Sequence, residues 1–88
     1  MVTWTVILSS KAAKDARKLT AAGLKPQAQK LLALLEQDPF AAPPRYEKLV
    51  GNLSGYYSRR INIQHRIVYQ VLEQEHIVKI LRLWTHYE

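Results

Sequence analysis

Three residues of this 88-residue chain have side chains that together could act on a phosphodiester: Glu47, Arg66 and His86. A carboxylate can accept a proton, an imidazole can donate one near neutral pH, and a guanidinium can stabilise a phosphate that becomes more negative. These are the three parts that cleavage of RNA by its own 2′-hydroxyl requires. Each also has an ordinary interpretation, because surface glutamates and solvated histidines are common.

The strand pattern predicts a second arginine close to Arg66. If residues 62–64 form the tip of a hairpin, Arg60 lies opposite Arg66 and Ser58 lies opposite Val68. Two like charges directly opposite each other destabilise a sheet by up to about 1 kcal/mol. Two explanations remain open: solvation together with a nearby carboxylate, or an anionic ligand such as phosphate held by the planar guanidinium.

The last predicted strand, Ile77 to His86, carries the histidine. Antiparallel pairing with the preceding strand would bring His86 beside Arg66. Its pattern predicts that Leu81 and Leu83 face one side and that the alternate residues face the other: Ile80, Arg82, Trp84 and His86. The two remaining histidines, His65 and His76, are interpreted as a turn residue and an exposed loop residue.

The first half of the chain predicts elements that would support this surface. A strand from Trp4 to Leu8 is followed by a helix that Ser9 or Ser10 caps and that stops at Gly23. Pro26 suits the first turn of a second helix, which Asp38-Pro39 ends. Both helices have an apolar stripe that must be buried.

An extended segment at 46–49 is followed by an apolar period of two, which predicts strands at 56–61, 66–72 and 77–86, so that three or four strands follow the helices. The predicted fold is α+β: an N-terminal strand and two helices packed on one face of a mainly antiparallel four- to five-stranded sheet. The helices should cover the face with Tyr57, Ile61, Ile67, Tyr69 and Val71, with Arg59 at its end or tilted outward. The other face should carry Tyr56, Ser58, Arg60, Arg66 and Gln70, with Val68 as its apolar member.

Composition limits the classes of protein that fit. The length predicts one domain over residues 1–88, and the lack of cysteine excludes disulfides and thiolate metal sites. The sequence has neither a signal-peptide pattern nor an apolar run long enough to span a bilayer, so we expect a cytoplasmic protein that does not bind membranes. The formal charge of +6 favours a polyanionic partner, either nucleic acid or an acidic protein.

Three segments resemble the YoeB/Txe toxins of the RelE superfamily: YEKLVGNLSGYYSRRI from Tyr46 to Ile61, HRIVY from His65 to Tyr69, and THY from Thr85 to Tyr87. The resemblance covers the C-terminal half in sequence, while the first half resembles the family in its order of elements. It implies a RelE-like fold and a toxin that cuts mRNA in the decoding site of the ribosome and that a partner antitoxin inhibits. It also implies that no metal or other cofactor is needed.

The resemblance further implies a role for individual residues. Glu47 matches the general base, Arg66 the residue that stabilises the phosphorane, His86 the general acid, and Tyr87 the neighbour that orients substrate or acid. Further candidate contacts to RNA or phosphate are Arg59, Arg60, Lys48 and Trp84.

Val50 departs from the family pattern, because some members have a lysine at this position. Lys48 does not replace that lysine directly, since adjacent strand residues point to opposite faces and Lys48 would point away from Glu47. Trp84 has two interpretations, stacking on a base or packing at the edge of the sheet.

Two other functions remain open. A related non-catalytic toxin, such as a ParE-like gyrase inhibitor, would not need Glu47, Arg66 and His86 together. A basic RNA-binding module would need only charge and aromatic residues. In the toxin interpretation the partners are the antitoxin, the ribosome and mRNA, and two assemblies remain open, a homodimer and a hetero-oligomer with the antitoxin.

Overall fold

Two helices and five strands make up the part of the chain that the structure describes. The computed structural model describes residues 3–41, 46–49, 55–62 and 65–85, with Trp84 and Thr85 described by their backbone only. Its elements, in chain order, are β1 (Thr5–Leu8), α1 (Ser10–Ala21), α2 (Lys25–Gln37), β2 (Tyr46–Lys48), β3 (Tyr56–Arg60), β4 (Arg66–Leu72) and β5 (Ile77–Thr85).

Side chains and backbone conformation at the helix ends agree with the predicted signals. The Ser9 hydroxyl caps α1 by accepting a hydrogen bond from the Ala12 N–H at 3.1 Å. Gly23, just after α1, has a φ of 77°, a left-handed conformation that glycine adopts without strain. Pro26 lies in the first turn of α2, and Asp38 is the residue at which that helix ends.

The five strands form one sheet in the order β1-β5-β4-β3-β2. β1 is parallel to β5, and all other neighbours are antiparallel. The helices follow β1 and pack on one face, where α1 has most of its contacts with β5. The predicted α+β fold is therefore confirmed, with five strands. None of the helices in the described ranges is long and apolar enough to cross a membrane.

The β3–β4 hairpin has the register that the sequence predicts. Ser58 pairs with Val68 and Arg60 pairs with Arg66. Because facing residues in a ladder share one side of the sheet, this register separates the two faces as expected. We call the side with Glu47, Ser58, Arg60, Arg66 and Gln70 the polar face.

The opposite face of the sheet forms the core with the two helices. Leu19 of α1 and Leu35 of α2 are fully buried against the sheet. Burial of one such side chain stabilises the fold by about 1.5–3 kcal/mol. The buried apolar residues of this core are Ala12, Leu19, Ala28, Leu31, Leu35, Ile61, Ile67, Tyr69, Val78, Ile80 and Leu83.

The pattern predicted for β5 is wrong at its C-terminal half. Ile80 and Leu83 both lie in the core although they are three residues apart, while Leu81 is only half-buried. Two irregularities in the β4–β5 pairing cause this: one lies between Val68 and Tyr69, and the other between Arg66 and Val68. Strict alternation fails because bulges insert extra residues into one strand.

The outward orientation predicted for Arg59 is also wrong. Arg59 is 1% exposed and lies on the core side, opposite Tyr46. Its Nε donates to the Tyr69 hydroxyl at 3.1 Å, and its Nη2 donates to the Pro39 carbonyl at 2.9 Å. The Tyr69 hydroxyl also donates to Pro39 at 3.0 Å, and the guanidinium lies 5.0 Å from the centre of the Tyr46 ring. Arg59 is thus engaged inside the protein and is not placed to contact RNA.

The Arg59 contacts join the end of α2 to three strands. Burial raises the pKa of the Tyr69 hydroxyl above its ordinary value, and the hydrogen bond from Arg59 opposes this shift. The hydroxyl therefore stays protonated and continues to donate to Pro39. Around it, the rings of Phe40, Tyr46 and Tyr57 pack edge to face.

Two histidines are more enclosed than predicted. His65 lies in the predicted β3–β4 connection but is buried. His76 is half-buried, and its ring stacks on Trp4 with 3.9 Å between centroids, so its interpretation as an exposed loop residue is wrong.

We predict that Arg59→Ala lowers the free energy of unfolding by about 3 kcal/mol, since it removes buried charge-assisted hydrogen bonds and leaves a cavity. Arg60→Ala is the matched control, because Arg60 is the next residue and is exposed; it should change stability by less than about 0.5 kcal/mol. Urea unfolding of both variants measures the difference. Equal stabilities would contradict a structural role for Arg59.

Candidate active site on the polar face

Glu47 lies on the polar face because the residue before it, Tyr46, packs on the core side of the sheet. Tyr46 packs against Phe40 and Tyr57 on the core side, and adjacent residues of a strand point to opposite faces. Glu47 accordingly pairs with Ser58. Its side chain remains 55% exposed, which leaves the carboxylate accessible.

Arg66 begins β4 and lies between two neighbouring strands. Arg60 of β3 is opposite on one side, and Thr85 of β5 is opposite on the other. The Arg66 Nη1 lies 3.6 Å from the Glu47 Oε2, an ion pair that reaches across β3. The structure therefore brings together two of the three predicted catalytic side chains, from strands that are not neighbours in the sheet.

The Glu47 carboxylate is a nearby negative charge of the kind that could offset the Arg60–Arg66 pair. Arg60 is exposed, and the Arg66 side chain is 20% exposed. An incoming phosphate would meet the same guanidinium that now faces Glu47, and it would compete with the carboxylate for it. Such a phosphate would lie close to both a carboxylate and a guanidinium.

The part of the polar face next to these charged groups is more enclosed than the sequence predicts. Ser58 is 1% exposed and Val68 is 4% exposed, although both lie on the polar face. Ser58 pairs with Glu47, and Val68 lies two residues from Arg66 on the same side of β4. Buried neighbours of this kind lower the local dielectric constant and strengthen the interaction of the two charges with a bound phosphate.

The other predicted site residues differ in what the structure shows. Lys48 pairs with Tyr57, so it points away from Glu47 as expected and does not join the Glu47–Arg66 pair. The side chain of Trp84 lies outside the described residues, as do His86 and Tyr87. The roles of these three remain predictions.

Asp15 of α1 is a buried charged residue to which the sequence analysis assigned no role. Asp15 is 2% exposed and accepts hydrogen bonds from Arg82 and from the Leu83 N–H of β5. A signal was present, because Ala12, Asp15 and Leu19 have the spacing of one helix face, and that face is buried.

Comparison with known proteins identifies the family. The sequence profile of the YoeB-like toxin of the bacterial type II toxin–antitoxin system matches residues 14–87. The chain belongs to this YoeB-like toxin family. The matched range includes the positions of Glu47, Arg66, His86 and Tyr87, so the family assignment and the candidate site concern the same part of the chain.

Individual members of the YoeB-like family support the assignment. Toxin YoeB of Mycobacterium bovis is 38% identical over 74 residues, which are 84% of this chain and 74% of that protein. Toxin YoeB of Synechocystis is 40% identical over 58 residues, 66% of this chain and 65% of that protein.

Solved structures agree in fold. The YoeB/ParE toxin from Agrobacterium tumefaciens has a TM-score of 0.85 at 26% identity, covering 94% of this chain and 99% of that one. The YoeB-YefM complex from Staphylococcus aureus has a TM-score of 0.79 at 31% identity, covering 96% of this chain and 98% of that one. The RelE-like fold expected of a YoeB-like toxin is therefore confirmed.

We predict that Glu47 and Arg66 couple only weakly in stability. A double-mutant cycle of Glu47→Ala and Arg66→Ala should give a coupling energy below about 1 kcal/mol, because both side chains are partly solvated. The coupling should decrease further in high salt. Urea unfolding of the two single variants and the double variant measures it, and a coupling of several kcal/mol would mean that the pair is a structural bridge.

Proposed function

We propose that this YoeB-like toxin is a ribosome-dependent endoribonuclease that cleaves mRNA in the decoding site and so inhibits translation. The observation that carries the proposal is the approach of Glu47 to Arg66 at 3.6 Å, with Thr85 paired to Arg66 on the adjacent strand. The chain continues from Thr85 directly to His86, the candidate acid. The Glu47–Arg66 pair supports the roles of general base and phosphorane stabiliser, and His86 is assigned as the acid from the resemblance to YoeB toxins.

In the proposed reaction the Glu47 carboxylate takes the proton of a 2′-hydroxyl. The 2′-oxygen then forms a bond to the adjacent phosphorus, and Arg66 stabilises the extra negative charge of the phosphorane. The bond from phosphorus to the 5′-oxygen breaks, and His86 protonates that oxygen, with Tyr87 orienting the acid or the substrate. The products are a 2′,3′-cyclic phosphate, or the 3′-phosphate after it opens, and a 5′-hydroxyl. The nucleophile belongs to the substrate, so the reaction requires no metal or other cofactor.

The positive charge of the chain supports its proposed partners. Besides Arg66, Arg60 is an exposed cation on the polar face and would contact a neighbouring phosphate. A net charge of +6 suits both ribosomal RNA and an acidic antitoxin. Complexes named for relatives, such as YoeB-YefM of Staphylococcus aureus, support a cognate antitoxin as the partner of this cytoplasmic toxin.

Glu47→Ala and His86→Gln should each reduce mRNA cleavage at least about a hundredfold, the scale expected for loss of a general base or acid. Primer extension on translating ribosomes under single-turnover conditions measures the rate. Glu73→Ala is the matched control, since Glu73 is an exposed glutamate in the β4–β5 turn, and it should cleave like the unchanged protein. Near-full cleavage by either site variant would refute the role assigned to that residue.

Arg66→Ala should lower the cleavage rate by the equivalent of about 3 kcal/mol, because it removes stabilisation that acts on the transition state. Arg66→Lys should recover only part of the rate, since lysine keeps the charge but lacks the planar fork. Ribosome binding, followed by cosedimentation, should change little. If Arg66→Ala weakens binding and leaves turnover intact, Arg66 is a docking residue.

The same primer-extension assay separates the proposal from a ParE-like inhibitor. Cleavage should require the ribosome, and it should stop when the product of the adjacent gene is added, if that gene encodes the antitoxin. An inhibitor of a protein target would leave mRNA intact on the ribosome. A basic RNA-binding module would bind RNA and would be insensitive to His86→Gln.

A further inference from the structure

The two irregularities of β5 change which residue lies opposite Arg66. From Leu72–Ile77 to Tyr69–Ile80 the strands pair in regular succession. Regular continuation of that ladder would place Leu83 opposite Arg66. The observed partner is Thr85, so β5 contains two extra residues between its pairing with Tyr69 and its pairing with Arg66.

Helix α1 contacts the backbone of β5 where the first extra residue lies. β1 pairs with β5 only as far as Ile80. Immediately after it, the Ser9 N–H donates to the Ile80 carbonyl at 2.9 Å, and the Ser9 hydroxyl donates to the Leu81 carbonyl at 2.8 Å. The same hydroxyl caps α1 through the Ala12 N–H. One serine therefore links the start of the helix to the bulged part of the strand.

Asp15 contacts the next two residues of β5. Its Oδ2 accepts hydrogen bonds from the Leu83 N–H at 3.1 Å and from the Arg82 Nε at 2.7 Å, and its Oδ1 accepts one from Nη2 at 3.2 Å. A backbone N–H needs a partner when it is buried, and a buried carboxylate needs several donors. Asp15 satisfies both requirements. The Arg82 pKa is raised by its hydrogen bond to Asp15.

We propose that Ser9 and Asp15 are positioning residues that hold the two shifts in β5 and thereby make the strand end beside Arg66. The consequence for catalysis rests on the proposed function. With the observed register, His86 follows the residue that faces Arg66. In a regular ladder Thr85 would lie two residues beyond the position opposite Arg66, roughly 6–7 Å at the rise of a strand. A displacement of about 1 Å already costs up to a hundredfold in rate.

Burial of Leu83 in the core also favours the bulges, so the two contributions must be separated. Burial of Leu83 requires one extra residue between Ile80 and Leu83, but it does not determine which residue that is. Leu83 would face the core in either case. The hydrogen bonds from Ser9 and Asp15 select particular backbone groups: the Leu81 carbonyl and the Leu83 N–H. The contacts from Ser9 and Asp15 therefore determine which residue of β5 is extra. Burial in the core determines only the side of the sheet that Leu83 faces.

The register of β5 provides the first test and does not depend on activity. In the unchanged protein, NMR should show cross-strand contacts between the backbones of Arg66 and Thr85, and slow hydrogen exchange at the Leu83 N–H. Asp15→Ala should weaken those contacts and accelerate Leu83 exchange at least about tenfold, since the amide loses its acceptor. Ser9→Ala and Asp15→Asn should have smaller effects in the same direction, and they replace Asp15→Ala if that variant does not fold.

Matched controls distinguish this role from general weakening of the helices. Thr20→Ala removes another hydroxyl of α1, which donates to the Ala16 carbonyl at 3.0 Å and is exposed. Ala33→Gly weakens α2 at an exposed position, because glycine has a lower helix propensity than alanine. Both should leave the Arg66–Thr85 contacts unchanged. Arg82→Gln removes the guanidinium that binds Asp15 and keeps the hydrogen bond from the Leu83 N–H to Asp15. It should therefore change the β4–β5 register less than Asp15→Ala does.

Cleavage kinetics provide the second test, at a temperature where circular dichroism shows each variant fully folded. Asp15→Ala should lower kcat about tenfold or more with KM little changed, because the reacting groups are misplaced while ribosome docking is retained. Ala33→Gly should keep the full kcat. Persistence of the Arg66–Thr85 contacts in both Asp15→Ala and Ser9→Ala would overturn the inference, and so would a full kcat in a variant with altered register. If the unchanged protein cleaves no mRNA, the proposed function fails, while the NMR test still decides whether Ser9 and Asp15 set the register.

Discussion

The position of the Arg66 side chain depends directly on how β4 pairs with its two neighbouring strands. It lies opposite Arg60 on one side and Thr85 on the other, and the Glu47 carboxylate approaches it from one strand further away. A shift of one residue in β4 would turn its side chain into the core. The candidate site therefore exists only in one register of β4 against both neighbours, and the buried contacts of Arg59 and Asp15 support that register.

Two buried charged residues on the helix side act on the strands to either side of β4. Arg59 joins Pro39 and Tyr69 and lies over the ring of Tyr46, which fixes β2 and hence the side to which Glu47 points. Asp15 holds β5 at Leu83. Buried charges stabilise a fold poorly compared with apolar residues, but they require particular partners and so select one arrangement. Specific positioning is what an acid–base site needs.

Patterns of period two and 3.6 were sufficient to predict the α+β fold, the β3–β4 register and the face that carries Arg66. The placement of Arg59 and the course of β5 were not predictable in this way. Alternation predicts the face of the sheet on which a residue lies, but it does not predict whether the polar end of its side chain reaches solvent. The Arg59 guanidinium binds the Pro39 carbonyl, which belongs to a segment distant in sequence. A bulge likewise depends on tertiary partners, here Ser9 and Asp15. The meeting of Glu47 with Arg66 followed from the resemblance to YoeB toxins more than from any local pattern.

The proposed mechanism depends most on attack by the 2′-hydroxyl of the message, with a carboxylate and a guanidinium arranged around one phosphate. The most direct measurement is single-turnover cleavage on the ribosome of an mRNA whose nucleotide 5′ to the scissile phosphate is replaced by its 2′-deoxy form. The account predicts that cleavage at that phosphate stops, while the message still binds and cleavage of the unmodified mRNA leaves a 2′,3′-cyclic phosphate. Cleavage of the deoxy-substituted message at the same phosphate would contradict it.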